Sequence, residues 1–223
     1  MLLRLKRALR NRWRKPFSVI TPTLNSGPKL EETINSVLSQ DKGLFEYIIV
    51  DGCSTDETLN IIRKYGKRIK WISEKDRGVY DAMNKGIGMA KGHYLYFLGA
   101  GDHMRENILE KIEKIIPDEP LTFVYGNVYL AGGEVIYLGE FDEDKIAKWN
   151  ICHQAIFYER TIFNVIGTYD LRYSLLADYA FNLKCFADKR IKRIYVDEVI
   201  ADYEGGGLST GIDINFMKDF RQE

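Results

Sequence analysis

Three cysteines, three histidines and five prolines are all that 223 residues contain of these types, and each scarcity excludes something. Cys53, Cys152 and Cys185 are odd in number, far apart and outside any C-x-x-C. They outline neither a disulfide framework nor a zinc site, and a reducing compartment suits them. No run approaches the roughly 20 apolar residues that a membrane-spanning helix needs, and the first residues are too basic for the apolar region of a secretory leader. The expected location is therefore cytoplasmic. Formal net charge is zero, which argues against a basic-bodied nucleic-acid binder. No G-x-G-x-x-G follows the first candidate strand and no G-x-x-x-x-G-K-[ST] occurs, so dinucleotide dehydrogenases and P-loop nucleotidases are disfavoured. Gly86, Gly88 and Gly92 imitate a glycine fingerprint, but they fall in or just after a helical pattern, where close packing is the expected reason for them. Repeats, low-complexity tracts and a linker between independent domains are missing as well.

What is present is an ordinary globular balance of 45% hydrophobic and 29% charged residues. The charge is unevenly placed. Residues 1–15 carry seven Lys or Arg and no acid, leaving 25 basic against 32 acidic residues, net −7, in the remainder. Within that leader Leu2, Leu5, Leu9 and Trp13 recur at helical spacing. The pattern is that of a basic amphipathic helix lying on an anionic membrane surface, which makes the expected location peripheral on the inner face of the cell membrane.

From Phe17 onward, strand and helix patterns alternate. Phe17–Ile20 reads as a strand ending at Thr21-Pro22-Thr23, because proline cannot continue a central ladder and biases Thr21 toward an extended conformation. Leu30, Ile34, Val37 and Leu38 mark a helix, and Tyr47–Val50 is a continuous apolar run of the kind buried on both faces of a parallel sheet. Ser54 or Thr55 is positioned to cap the helix marked by Leu59, Ile62 and Tyr65. A short strand at Ile69–Ile72 precedes the clearest helix of the chain, with Val79, Ala82, Met83, Gly86, Ile87 and Ala90 on one stripe and Gly92 as its stop. Tyr94–Leu98 is a buried strand whose aromatics are expected in the core. Beyond Ile116 the rhythm changes to a hairpin, Thr122–Leu130 with Val135–Leu138, then a helix near Asp178–Ala187 and a strand at Ile191–Ile200. The expected class is α/β, a mostly parallel central sheet with a smaller mixed lobe.

Ligands of open parallel sheets bind beyond the carboxyl ends of the strands. Four polar clusters converge there: Thr21-Pro22-Thr23-Leu24-Asn25, Asp51-Gly52, Glu74-Lys75-Asp76-Arg77-Gly78, and Gly101-Asp102. Together with Ile49–Asp56, Ser73–Gly86, Gly92–Asp102 and Ala177-Asp178-Tyr179, these segments resemble glycosyltransferase family 2 in order and spacing across about residues 17–210. The resemblance implies a GT-A fold, a nucleoside-diphosphate sugar donor (UDP above all), Mn²⁺ or Mg²⁺, and inverting transfer to a saccharide or lipid-linked saccharide acceptor, in cell-surface polysaccharide or lipid-linked oligosaccharide synthesis.

By position, it assigns Asp51 to the donor's base, with Pro22 and Thr23 lining the same pocket. Asp76 and Arg77 lie beside base and donor sugar, Gly101 beside the donor, Asp102 holds the metal against the diphosphate, and Asp178 deprotonates the acceptor. His153 is a further candidate to reach metal, diphosphate or acceptor. Residue 100 is Ala, so the metal motif Ala-Gly-Asp has one carboxylate, and Ala177 stands where many relatives have Glu. Plainer roles compete: Asp51 as an Asx turn, Asp102 as a helix cap, Asp178 as a helix-start acid, Asp81 and Asn84 as solvated-face residues or loop braces alike, and Gly205–Ser209 as a loop rather than a flap. The expected organisation is a 1–15 segment and a 16–223 catalytic domain, divided into a 16–102 nucleotide-sugar half and a 103–223 acceptor half. Two other functions remain open, a catalytically lapsed nucleotide-sugar binding module and a sugar-phosphate nucleotidyltransferase; the latter is expected to carry a Gly-rich, Arg-containing loop where this chain has Thr-Pro-Thr-Leu-Asn.

Overall fold

The structure, a computed structural model, describes residues 16–130, 139–205 and 211–220. The expected amphipathic helix of 1–15, the second hairpin strand Val135–Leu138 and most of the Gly205–Ser209 loop lie outside the described residues. Strands β1 (Phe17–Thr23), β2 (Phe45–Asp51), β3 (Lys70–Ser73), β4 (Tyr94–Phe97), β5 (His103–Met104), β6 (Thr122–Leu130), β7 (Ile156–Glu159) and β8 (Lys192–Tyr203) form one sheet in the order β3-β2-β1-β4-β7-β6-β8-β5. The pairs β1/β2, β1/β4, β2/β3 and β6/β8 are parallel, whereas β4/β7, β6/β7 and β5/β8 are antiparallel. The α/β architecture is as expected, and each antiparallel pairing involves β7 or β8, strands of the second half of the chain.

Every residue of β1, β2 and β4 is buried, which is why these segments read as unbroken apolar runs. Helices α1 (Gly27–Leu38), α2 (Thr58–Lys64) and α3 (Val79–Met89) make the crossovers between them. Helix α3 buries Tyr80, Ala82, Met83 and Gly86, the inner side of the predicted stripe. Its glycine at 86 is a packing residue, since a Cβ there would collide with the Ile20 side chain. Gly92 is a close-approach residue rather than a helix stop: α3 has already ended, and a Cβ on Gly92 would lie 2.5 Å from the Ser18 amide nitrogen.

Two local expectations are corrected. Strand β1 runs through Pro22 to Thr23, with Pro22 paired to Val50. The Ile20 carbonyl faces β4 by accepting from Leu98, and the Thr23 carbonyl faces β2 by accepting from Gly52. By alternation Pro22 faces β4, whose pairing with β1 ends at Ile20 and Phe97, so the missing N–H falls where that ladder stops rather than in its middle. Neither Ser54 nor Thr55 caps α2. The Ser54 hydroxyl accepts from the Asn25 amide at 2.7 Å, and it is Asp56 that accepts from the Thr58 amide, at 3.0 Å.

The remaining helices are α4 (Ile108–Ile115), α5 (Glu143–Ile146), α6 (Thr161–Ile166), α7 (Ala177–Ala187) and α8 (Ile214–Phe220), with a short 3₁₀ turn at His153–Ala155 leading into β7. Tyr94, Tyr96 and Phe97 are fully buried as expected, and the Tyr96 ring stacks on Phe157 at 4.6 Å.

Candidate active site at the carboxyl ends of the strands

Register sets the first part of the site. Thr23 pairs with Asp51 and Asp51 with Ser73, so the last residues of β1, β2 and β3 stand level at one edge. Asp51 is fully buried. Its Oδ2 accepts from the Cys53 and Ser54 amides, both at 3.1 Å, and from the Ser73 hydroxyl at 2.6 Å. The Asx-turn role is therefore real, and it occupies one oxygen only. Oδ1 is buried without any partner in the protein. A buried acceptor left without a donor is costly unless a ligand completes it, so this oxygen marks a place for an N–H group.

Pro22 and Thr23 flank the carboxylate in β1, and the Thr23 hydroxyl donates to Ser26 at 2.9 Å. Asp76 closes against the turn after β2: a Cβ on Gly52 would lie 2.5 Å from Asp76 Oδ2, so a side chain there would displace this carboxylate. Asp76 Oδ1 accepts from the Gly78 amide at 3.0 Å, and the amide of Arg77 donates to Asp81 at 3.0 Å. The Arg77 side chain is 77% exposed, 3.8 Å from Asp81, and thus available to an incoming anion. Asp81 and Asn84 act as braces: Asn84 exchanges hydrogen bonds with the Tyr169 backbone at 2.8 and 3.0 Å.

Gly101 and Asp102 follow β4 at the same edge. Gly101 has φ 108° and donates its amide to Thr33 at 2.8 Å. Asp102 is buried and does not cap a helix. Its Oδ2 accepts from Gln154 Nε2 at 2.6 Å and its Oδ1 from the Glu204 amide at 3.1 Å. The Glu204 carboxylate pairs with Lys29 at 2.7 Å and overlies Gly101.

Asp178 opens α7 and is buried. Its Oδ1 takes the Tyr80 hydroxyl at 2.8 Å and the Tyr179 amide at 2.9 Å; its Oδ2 takes Asn150 Nδ2 at 3.0 Å. The Tyr80 oxygen also lies 2.8 Å from the Leu175 carbonyl. Burial, and then the Asp178 charge, push the Tyr80 phenol far above its usual range, so it stays a donor. His153 Nδ1 stands 3.7 Å from Asp178 Oδ2, while its Nε2 is buried with no hydrogen-bond partner in the protein.

The predicted residues thus gather in three groups: Pro22, Thr23, Asp51, Asp76 and Arg77 at β1–β3; Gly101 and Asp102 after β4; and Asp178 with His153, bound to the others through Tyr80 and the 153–155 turn. The turn at 153–155 joins the last two groups, because His153 faces Asp178 and Gln154 holds Asp102. Sequence reasoning missed Ser73, Tyr80, Asn150, Gln154 and Glu204. Ser73 and Tyr80 sit inside the segments that carried the resemblance, whereas the other three belong to stretches with no motif of their own.

A divalent cation can be tested against this donor set. Ala100 supplies no ligand, and among the described residues no group of three His, Cys, Asp or Glu side chains is placed to hold a metal. Asp102 keeps lone pairs beyond its two hydrogen bonds. One carboxylate fits the mode in which Mg²⁺ or a similar hard cation is held largely by substrate phosphates and water.

Known proteins resemble this chain in sequence and in fold. The model of the family described as "Glycosyl transferase family 2" matches residues 18–167. A "PGL/p-HBAD biosynthesis glycosyltransferase" of Mycobacterium bovis (strain BCG / Pasteur 1173P2) is 44% identical over 211 residues, 91% of this chain and 82% of that protein. The "Poly(ribitol-phosphate) beta-N-acetylglucosaminyltransferase TarP" of Staphylococcus aureus (strain N315) is 28% identical over 203 residues, 88% of this chain and 61% of that one. Among solved structures, S. aureus TarS 1–349 in complex with UDP-GlcNAc superposes with a TM-score of 0.71 at 21% identity, covering 89% of this chain. The mannosyltransferase PcManGT from Pyrobaculum calidifontis in complex with GDP-Man and Mn²⁺ gives 0.66 at 19% identity, covering 90%. This chain spans 60% and 62% of the length of those two structures. They share its fold, of the GT-A type.

Proposed function

The chain belongs to glycosyltransferase family 2, and from that premise we propose that it transfers a sugar from a UDP-sugar to an acceptor hydroxyl with inversion at the anomeric carbon. The observation that carries the donor half is Asp51 Oδ1, a buried acceptor with no partner at the end of β2. Uracil presents an N3–H that such an oxygen accepts, in a pocket walled by Pro22, Thr23 and Asp76. Arg77 is placed to meet the charge of the donor.

The acceptor half rests on Asp178. Three donors fix its carboxylate and leave lone-pair capacity for one more proton. In the proposed reaction the acceptor hydroxyl oxygen forms a bond to the anomeric carbon from the side opposite the diphosphate. Its proton passes to Asp178, and the bond from that carbon to the diphosphate oxygen breaks with its electrons leaving on the diphosphate. A general base within hydrogen-bond reach contributes roughly 10²–10⁴-fold to such a step. Asp102 would hold a divalent cation, Mn²⁺ or Mg²⁺, with the donor's phosphate oxygens, and the chemistry it supplies is neutralisation of the charge on the departing diphosphate.

The proposed acceptor is a saccharide or lipid-linked saccharide, in cell-surface polysaccharide or lipid-linked oligosaccharide synthesis, a reading supported by the basic apolar stripe of residues 1–15. Among the described residues no helix is long and apolar enough to cross a membrane, so attachment through the leader would be peripheral. Ala100 favours a second reading, a nucleotide-sugar binder without turnover. Calorimetry with UDP, followed by donor hydrolysis with Mn²⁺ across a panel of UDP-sugars, tests both. UDP binding with donor cleavage supports the transferase, binding without cleavage supports the lapsed module, and failure to bind UDP removes the donor assignment.

A further inference from the structure

A single carboxylate that must meet a diphosphate needs a fixed orientation, and the structure shows how Asp102 obtains one. Gln154 is buried and clamped along its length. Its Nε2 donates to Asp102 Oδ2 at 2.6 Å, its Oε1 accepts from the Cys152 thiol at 2.7 Å, and its backbone carbonyl accepts from the Tyr96 hydroxyl at 2.9 Å. The amide cannot reverse, because its oxygen would then face a carboxylate oxygen and its NH₂ would face the Cys152 donor. The other oxygen of Asp102 is tied to the Glu204 backbone amide at 3.1 Å. Both ends of this carboxylate are therefore set by donors that carry no charge.

We propose that Gln154, oriented by Cys152, is the positioning residue of Asp102, and that this clamp stands in for the second carboxylate that Ala100 does not provide. A charge partner such as Lys or Arg would compete with a cation for the acid, whereas an amide orients the carboxylate and leaves its charge for the metal and diphosphate. The clamp belongs to the same short turn that carries His153 to within 3.7 Å of Asp178, so one element reaches both acids of the site. The inference rests on the assignment of Asp102 to a divalent cation made above.

Titration of Mn²⁺ into UDP-saturated protein, read by the loss of the free Mn²⁺ signal in electron paramagnetic resonance, tests the clamp without relying on activity. In the unsubstituted protein Mn²⁺ must bind in the presence of UDP; its failure to do so refutes the metal assignment of Asp102 itself, and the clamp with it. In Gln154→Leu the Mn²⁺ half-saturation is expected to rise about 10–100-fold, the usual cost of losing an outer hydrogen-bonding partner of a metal ligand. UDP affinity without metal should stay unchanged, which a general loss of structure would not allow. Cys152→Ala frees Oε1 but keeps the amide, so it should move the half-saturation the same way by less, and it decides the matter if Gln154→Leu does not fold. A folded Gln154→Leu protein, or failing that a Cys152→Ala protein, with unchanged Mn²⁺ half-saturation overturns the proposal.

Discussion

Asp51→Asn is the perturbation whose effect can be worked most directly from the structure. The substituted side chain keeps its shape, and its amide oxygen can still take the three donors now on Oδ2: the Cys53 and Ser54 amides and the Ser73 hydroxyl. That forces the NH₂ into the place of Oδ1, the oxygen with no protein partner. Uracil would then meet a donor with its own N3–H. The loss of a hydrogen bond to a charged acceptor is worth about 1.5–3 kcal/mol, and a buried donor left unpaired adds about 1–3 kcal/mol. A total near 3 kcal/mol corresponds to UDP binding weaker by on the order of 100-fold. Cytosine offers an N3 acceptor at the same place, so CDP should gain on UDP in the variant. Isothermal calorimetry with both nucleotides measures this, with thermal denaturation as the control, because the three internal bonds survive. A UDP Kd within about threefold of the unsubstituted value, less than about 0.7 kcal/mol, would refute the base-recognition argument.

Other consequences follow from the same geometry. Asp102→Asn should remove the tightening of UDP binding by Mn²⁺ while leaving metal-free binding in place, as two calorimetric titrations would show; full donor turnover in excess EDTA would contradict the role given to the cation. Gly92→Ala sets a methyl 2.5–2.7 Å from the Ser18 amide nitrogen, the Phe17 carbonyl carbon and the Ser18 hydroxyl. Overpacking of this kind costs about 1–3 kcal/mol, to be read as a lowered denaturation midpoint, whereas Gly88→Ala meets nothing within 4 Å and should be nearly neutral. The full-length protein should sediment with anionic but not neutral vesicles, and a version lacking residues 1–15 should not; equal behaviour of the two would leave the leader without a membrane role.

Much of the fold was legible because the pattern in the first hundred residues is local and periodic. The apolar runs of β1, β2 and β4 and the stripe of α3 announce themselves without tertiary information. Where reading failed, tertiary context decided. Pro22 is tolerated because it faces β4 at the point where that ladder ends, while β1 goes on pairing with β2 through Thr23. At the start of α2 the Thr58 amide goes to Asp56, and the Ser54 hydroxyl is taken instead by the Asn25 amide across the turn. Gly92 serves the backbone of β1, 74 residues earlier in sequence, at Ser18.

The site divides in the same way. Asp51, Asp76, Asp102 and Asp178 could be singled out because each sits at a strand end or in a segment with a recognisable neighbourhood. Their partners could not. Asn150 and Gln154 belong to an aromatic-rich stretch with no periodicity, and Glu204 reaches Asp102 through its backbone amide, which no side-chain pattern records. The unpartnered oxygen of Asp51 is likewise a property of the folded state alone: any sequence with aspartate at a strand end permits an Asx turn, and only the coordinates show that the turn uses one oxygen and leaves the other.

The claim on which the account turns is that Asp178 accepts the acceptor's proton while the sugar inverts. The direct measurement is proton NMR of the first-formed sugar from an α-linked UDP-sugar, recorded with the unsubstituted protein and with Asp178→Asn at saturating donor. The account predicts a β-configured product, slowed by roughly 10²–10⁴-fold in the variant with UDP affinity nearly unchanged. An α-configured product, or a variant that turns over as fast as the unsubstituted protein, would contradict it.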